Sequence, residues 1–95
     1  MNTIKYKAIR DFVPTHPDAK PSLDRWYKIA RKAKWKSLAE VRETFPHADL
    51  VGELTVFNIG GNNYRLITYI NYQYETIYIK AILTHQEYDQ DKWKS

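Results

Sequence analysis

Residues 53–70 read ELTVFNIGGNNYRLITYI, two runs of β-branched and aromatic residues on either side of Gly60-Gly61-Asn62. Such residues suit a pleated, half-buried surface. Glycine supplies the left-handed backbone that a tight hairpin demands, so the stretch predicts two antiparallel strands over 53–59 and 63–70. A third run of the same character, 76–83, follows a second turn marked by Asn71 to Gln73. Three strands joined in succession make an antiparallel meander.

Upstream the apolar period changes. Leu23, Trp26, Tyr27, Ala30 and Ala33 recur at helical spacing, with Arg25, Lys28, Arg31 and Lys32 falling mainly between them. One face packs and the other is basic. The preceding His16-Pro17-Asp18-Ala19-Lys20-Pro21 has helix-start character, with Asp18 or Ser22 available as a cap and Pro21 tolerated in a first turn. A second, shorter helix is announced by the capping-box pattern Ser37-Leu38-Ala39-Glu40, continued by Val41 and Phe45, and stopped by Pro46. Residues 4–12 predict a short strand running into a helix that Pro14 must end. Helices first and a meander second predict an α+β domain with the N-terminal helices packed on an antiparallel sheet. With no linker, repeat or low-complexity tract, residues 1–95 are expected to form one domain. The polar segment 84–95 is expected to be irregular.

The chain has 95 residues and a formal net charge of +4, but the charge is uneven. Residues 1–47 carry eleven Lys and Arg against five Asp and Glu, whereas residues 48–95 carry four against six. The densest positive stretch is Arg25, Lys28, Arg31, Lys32, Lys34 and Lys36, with no acid among them. Such a patch attracts a phosphate backbone or an acidic protein, or is a solvated helix face. No cysteine is present, which removes disulfide frameworks and thiolate metal sites and suits a reducing cytoplasm. No apolar run approaches the roughly 18 residues a membrane span needs, and the first ten residues lack a signal-peptide apolar region, so a cytoplasmic protein without a membrane partner is expected.

Several chemistries find no residues to carry them. There is no Walker loop, nucleophile elbow or His-Glu-x-x-His, and His16, His47 and His85 lack ligand-like spacing. Glu87, Asp89 and Asp91 are the nearest approach to a metal-binding cluster, and alternating acids near a chain end are ordinarily a solvated tail. A cationic centre needing neither metal nor cofactor remains. A hairpin centred between Tyr72 and Gln73 puts Ile70 opposite Glu75 and Arg65 opposite Lys80, two cations on one sheet face. Like charges placed opposite each other are destabilising unless an anion, an acid or full solvation relieves them. A phosphate or a carboxylate would serve. His85 leaves the end of the same strand, where an imidazole can move a proton, or is plain surface. Tyr88 can stack on or donate to a nucleotide, or pack on the sheet. The strand tyrosines and Trp26 and Trp35 read as packing residues.

Taken together, His16-Pro17-Asp18-Ala19, Trp26-Tyr27, Trp35-Lys36-Ser37, Phe57-Asn58-Ile59, Gly61-Asn62, Tyr64-Arg65-Leu66 and Thr84-His85 with Tyr88-Asp89 resemble the HigB-type toxins of the RelE-like superfamily, over about residues 4–89. The resemblance implies a RelE-like α+β fold and a toxin of a type II toxin–antitoxin pair. It implies an mRNA interferase, a metal-independent endoribonuclease acting on the translating ribosome, in which the ribose 2′-hydroxyl attacks the adjacent phosphodiester. A cognate HigA-like helix-turn-helix antitoxin is implied too, with operator DNA reached only through the complex. By position, Arg65 resembles the strand arginine that stabilises the phosphate. His85 and Tyr88 fall in the C-terminal signature, with acid/base or nucleotide-orienting roles. Lys80 stands where arginine is common, and a lysine there keeps the charge but loses the planar fork. Lys32, Lys34, Lys36 and Asn62 are the expected contacts to RNA or the ribosome. Asn63 stands where a basic residue is common in that family, and Pro14 interrupts a stretch that is usually more helical. The competing expectation is a non-catalytic module of the same fold that binds RNA or an antitoxin.

Overall fold

The computed structural model describes residues 1–91 and Trp93. Strand β1 (Asn2–Ile4) runs into helix α1 (Lys7–Phe12), and a 3₁₀ turn over Pro17–Ala19 leads into α2 (Lys20–Lys32) and then α3 (Leu38–Thr44). The remaining elements are β2 (Asp49–Val51), β3 (Leu54–Ile59), β4 (Tyr64–Asn71), β5 (Thr76–Thr84) and α4 (His85–Asp89). Among the described residues no helix is long and apolar enough to cross a membrane.

The meander β3-β4-β5 is present as the sequence predicts, and the sheet extends beyond it in the order β1-β5-β4-β3-β2. Strand β1 lies parallel to β5, with Thr3 opposite Ile77, and the three-residue β2 extends the other edge antiparallel to β3. Neither pairing was legible locally, because three-residue strands carry too little periodicity to register. Strand β1 is also tied to α2. The Met1 ammonium donates to the carbonyls of Ala30, Arg31 and Ala33 at 2.9, 3.0 and 2.7 Å, at the C-terminal end of α2 where the Ala30 carbonyl also accepts from the Ala33 amide at 3.2 Å.

Alternation along the strands sorts side chains between two faces. Phe57, Ile59, Tyr64, Leu66, Ile70, Ile77 and Ile79 join Ile9, Leu23, Trp26, Ala30, Trp35 and Val41 in one buried cluster beneath the helices. At its centre Phe57 meets Trp26, Trp35 and Phe45, with ring centroids 5.4, 6.4 and 5.3 Å away. The packing roles expected of Trp26 and Trp35 hold. Arg65, Ile67 and Tyr69 take the opposite face of β4, where the functional question lies.

Three local expectations need correction. Neither Asp18 nor Ser22 caps α2; its N-cap is Ala19, without a side-chain hydrogen bond, and Asp18 instead accepts from the Tyr64 hydroxyl at 2.7 Å. The 3₁₀ turn takes the place of a side-chain cap by leading directly into the helix, while Pro21 does sit in the first turn. Residues 85–89 are helical rather than irregular. The Thr84 hydroxyl accepts from the Glu87 amide at 3.2 Å, and the Glu87 carboxylate accepts from the Thr84 amide at 2.9 Å, a reciprocal cap. Lys92, Lys94 and Ser95 of that segment lie outside the described residues.

The third correction concerns register. Asn71 pairs with Thr76 and Ile70 with Ile77, so the turn holds four residues, with Glu75 in the left-handed region at φ 53° and the Asn71 side chain accepting from the Tyr74 amide. A bulge then falls opposite Ile67 and Thr68. Arg65 is consequently paired with Leu83, not with Lys80. Lys80 is the extra residue of the bulge, exposed, with its ammonium 5.9 Å from the centre of the Tyr78 ring. The expected cross-strand pair of cations does not form.

Candidate active site

Arg65 is placed by register: Asn58 of β3 lies on one side of it and Leu83 of β5 on the other. Its guanidinium is tethered to the β3–β4 turn, where Nη1 donates to the carbonyls of Asn62 at 3.0 Å and Tyr64 at 3.1 Å. The turn that makes this possible uses Gly60 and Gly61 at φ 60° and 67°, a left-handed region in which a side chain is strained. From the other direction the Tyr88 ring of α4 comes beneath the guanidinium, 5.4 Å from its carbon to the ring centroid.

Together these two residues border an open hollow of about 350 Å³, whose other polar walls are Arg42, His47, Asp49 and Asn58. Arg42 donates from Nε to the Ala48 carbonyl at 2.8 Å and pairs with Asp49 at 3.6 Å, fastening the chain between α3 and β2. That ion pair is solvent-exposed and adds little to stability. His47, between the two in sequence, is exposed at this hollow. His47 and Asn58 are shared with two adjoining hollows of about 300 Å³ each, one reaching Gly61 and Asn62 and the other reaching Arg25.

His85 goes elsewhere. Its Nδ1 lies 2.9 Å from an Asp89 carboxylate oxygen, one turn along α4. Its ring borders a separate hollow of about 390 Å³ with His16, Asp18, Asn63 and Tyr64. The Tyr64 phenol, donating to Asp18, has its pKa raised above the ordinary value first by that bond and then by desolvation. Of the residues singled out from sequence, the fold thus gathers Arg65 and Tyr88 at one hollow and brings Asn62 to the adjoining one. His85 and Lys80 do not line these hollows. Lys32, Lys34 and Lys36 are exposed on and after the end of α2 and do not line them either, although Arg25 of the same helix does.

Sequence reasoning did not single out His47, Arg42 or Asn58, which line the hollow at Arg65. His47 follows Pro46, a position whose visible meaning is the end of α3, and no spacing links it to Arg65. What brings it to the hollow is the turn of the chain into β2 and the pairing of β2 on β3. A lone histidine at a helix stop was the only available signal.

A guanidinium, an imidazole and a phenol around one open polar hollow can neutralise an anion and move protons beside it. The profile of the HigB toxins, described as the RelE-like toxic component of a toxin–antitoxin system, matches residues 19–91. This chain belongs to the HigB toxin family. The match takes in Arg42, His47, Asn58, Arg65, His85 and Tyr88 and stops short of Trp93. The HigB family member also resembles curated relatives along nearly its whole length. The mRNA interferase toxin HigB of Escherichia coli K12 is 30% identical over 92 residues, 94% of this chain and 88% of the relative. An mRNA interferase HigB of Shigella flexneri matches to the same extent. A third, from Escherichia coli O6:H1, is 28% identical over 94% of this chain and 89% of its own. The α+β architecture, helices on a mostly antiparallel five-stranded sheet, agrees with that membership. Membership in a toxin–antitoxin family implies a cognate antitoxin.

Proposed function

We propose that this HigB family member is an mRNA interferase that cleaves RNA at the Arg65 hollow. In the reaction the ribose 2′-oxygen forms a bond to the adjacent phosphorus. The bond to the 5′-oxygen breaks, leaving a 2′,3′-cyclic phosphate and a free 5′-hydroxyl. One proton leaves the attacking oxygen and one reaches the departing oxygen. Arg65 faces the negative charge that accumulates on the phosphoryl oxygens; its Nη1 is spent on two backbone carbonyls, which leaves the rest of the fork for the phosphate. His47 is the proton-transfer group, and the Tyr88 ring orients the flanking nucleotide. His85 is assigned to holding α4 through Asp89. The message is met on the translating ribosome, and the antitoxin is a HigA-like helix-turn-helix protein.

The observation that carries this reading is the meeting of Arg65, Tyr88 and His47 at one open hollow. It is tested by inducing the wild type and the variants Arg65→Ala, His47→Ala and His85→Ala, following growth, and mapping 5′ ends on a translated reporter message. Wild type should arrest growth and create new ends. Arg65→Ala and His47→Ala should do neither, and His85→Ala should retain cleavage. A wild type that neither slows growth nor creates ends removes the enzyme reading. Loss in His85→Ala with retention in His47→Ala moves the proton transfer to the other histidine.

A further inference from the structure

Beyond α4, both Asp91 and Trp93 return to Tyr88. Asp91 takes the left-handed conformation at φ 60°, which non-glycine residues adopt rarely and aspartate more readily than most. Its amide donates to the Tyr88 carbonyl at 3.2 Å. The Tyr88 and Trp93 rings stack with centroids 4.9 Å apart and planes 17° from parallel, and the indole Nε1 donates to the Tyr88 carbonyl at 2.9 Å. Trp93 also borders an apolar hollow of about 420 Å³ at the β2–β3 turn, with Val51, Gly52, Glu53 and Leu54.

Tyr88 needs such support. Helix α4 has five residues and none of them is buried, so the core does not hold its ring in place. One aromatic ring thus meets both the Arg65 guanidinium and the Trp93 indole. The indole is fixed by a hydrogen bond to the very residue it stacks on. A left-handed non-glycine residue persists where its surroundings over-determine it, and Asp91 precedes this contact by two residues.

We propose that Trp93 is a positioning residue: it holds the Tyr88 ring under Arg65 and thereby fixes where the guanidinium presents its charge. Trp93 lies outside residues 19–91, so the family match assigns it nothing. The consequence for cleavage rests on the proposed ribonuclease reading; the consequence for Arg65 geometry does not. Misplacing a charge-bearing group by about an ångström costs up to 10²-fold in rate, and loss of the indole should lower kcat by about tenfold or more, with a smaller change in KM. An aromatic replacement that keeps the stack and drops the N–H donor should recover most of it.

The test compares wild type, Trp93→Ala, Trp93→Phe and Tyr88→Ala in two measurements, with far-ultraviolet circular dichroism confirming the fold. The first is the Nε–Hε resonance of Arg65, which the Tyr88 ring current displaces. It should move toward that of a solvated arginine in Trp93→Ala, move similarly in Tyr88→Ala, and stay near wild type in Trp93→Phe. The second is the kcat and KM of cleavage on ribosomes carrying a defined message. An Arg65 resonance unmoved in Trp93→Ala, or an unchanged kcat against an active wild type, overturns the proposal. If wild type itself cleaves nothing, the ribonuclease reading fails and the resonance alone decides whether Trp93 positions Arg65.

Discussion

The Arg65 guanidinium stands 5.4 Å from the centre of the Tyr88 ring while its Nη1 is held by the carbonyls of Asn62 and Tyr64. A strand, a turn and the terminal helix thus fix one cation at the edge of a solvent-open hollow. Guanidinium groups hydrate weakly and tolerate an aromatic face, so the residue can be ordered there without losing its capacity for an anion.

Removing that cation should affect chemistry far more than folding. Arg65→Ala is expected to lower the cleavage rate by about 10²- to 10³-fold, the usual loss when one transition-state donor is deleted. Arg65→Lys should recover little, because a lysine cannot hold two backbone carbonyls and a phosphate in one plane. Rates of new 5′-end formation, set beside thermal unfolding midpoints within a few degrees of wild type, check both statements.

The two histidines should separate cleanly. His47→Ala is expected to cost about 10²- to 10⁴-fold in cleavage, the range of general acid–base contributions. His85→Ala should cost much less, since its ring pairs with Asp89 and borders a different hollow. Single-turnover rates for both variants under one set of conditions decide it.

Stability at alkaline pH should report the bond between Tyr64 and Asp18. The folded-state pKa of the Tyr64 phenol is raised above its ordinary value of 10.0, so the contribution of this bond is fully present below that pH. It is lost as pH rises through the raised folded value. The thermal midpoint of wild type should therefore exceed that of Tyr64→Phe by a constant margin from neutral pH to about pH 10, and the margin should shrink above. A margin that stays constant to pH 11 would contradict this.

Phe57 anchors the helical layer, meeting Trp26, Trp35 and Phe45 and being 1% exposed. Phe57→Ala is expected to destabilise the fold by about 3–5 kcal/mol through lost burial and the cavity left behind. Denaturant unfolding measures this directly.

Lys34 and Lys36 offer charge without shape. Replacing both by alanine should weaken association with ribosomes or RNA and flatten its dependence on salt by about one to two counterions, leaving the fold intact. An association measured across a salt series with an unaltered slope would place the binding face elsewhere.

Much of this protein was legible from residue order alone, and for local reasons. Two β-branched runs around Gly60-Gly61 specify a hairpin, helical spacing from Leu23 to Ala30 specifies α2, and Ser37 and Pro46 bracket α3, whose N-cap hydroxyl accepts from the Glu40 amide. Even α4 is written in Thr84-x-x-Glu87, a pattern of the same kind as that at Ser37 but set among polar neighbours with no apolar period to follow it. Arg65 and Tyr88 could be named because the motifs around them are distinctive.

What no local rule reaches is which distant groups share a space. The four-residue turn before Thr76 and the bulge at Lys80 shifted β5 along β4, which parted Lys80 from Arg65 and set Leu83 in its place. His85 lies beside Asp89 on α4 and borders a different hollow, while pairing of β2 on β3 brought His47 into that of Arg65. Residue order determined the elements and the faces that bury, because propensity and periodicity act within a few residues. Tertiary structure alone decided the company Arg65 keeps, because strand register and chain return are global packing outcomes that a one-residue change in a turn redirects.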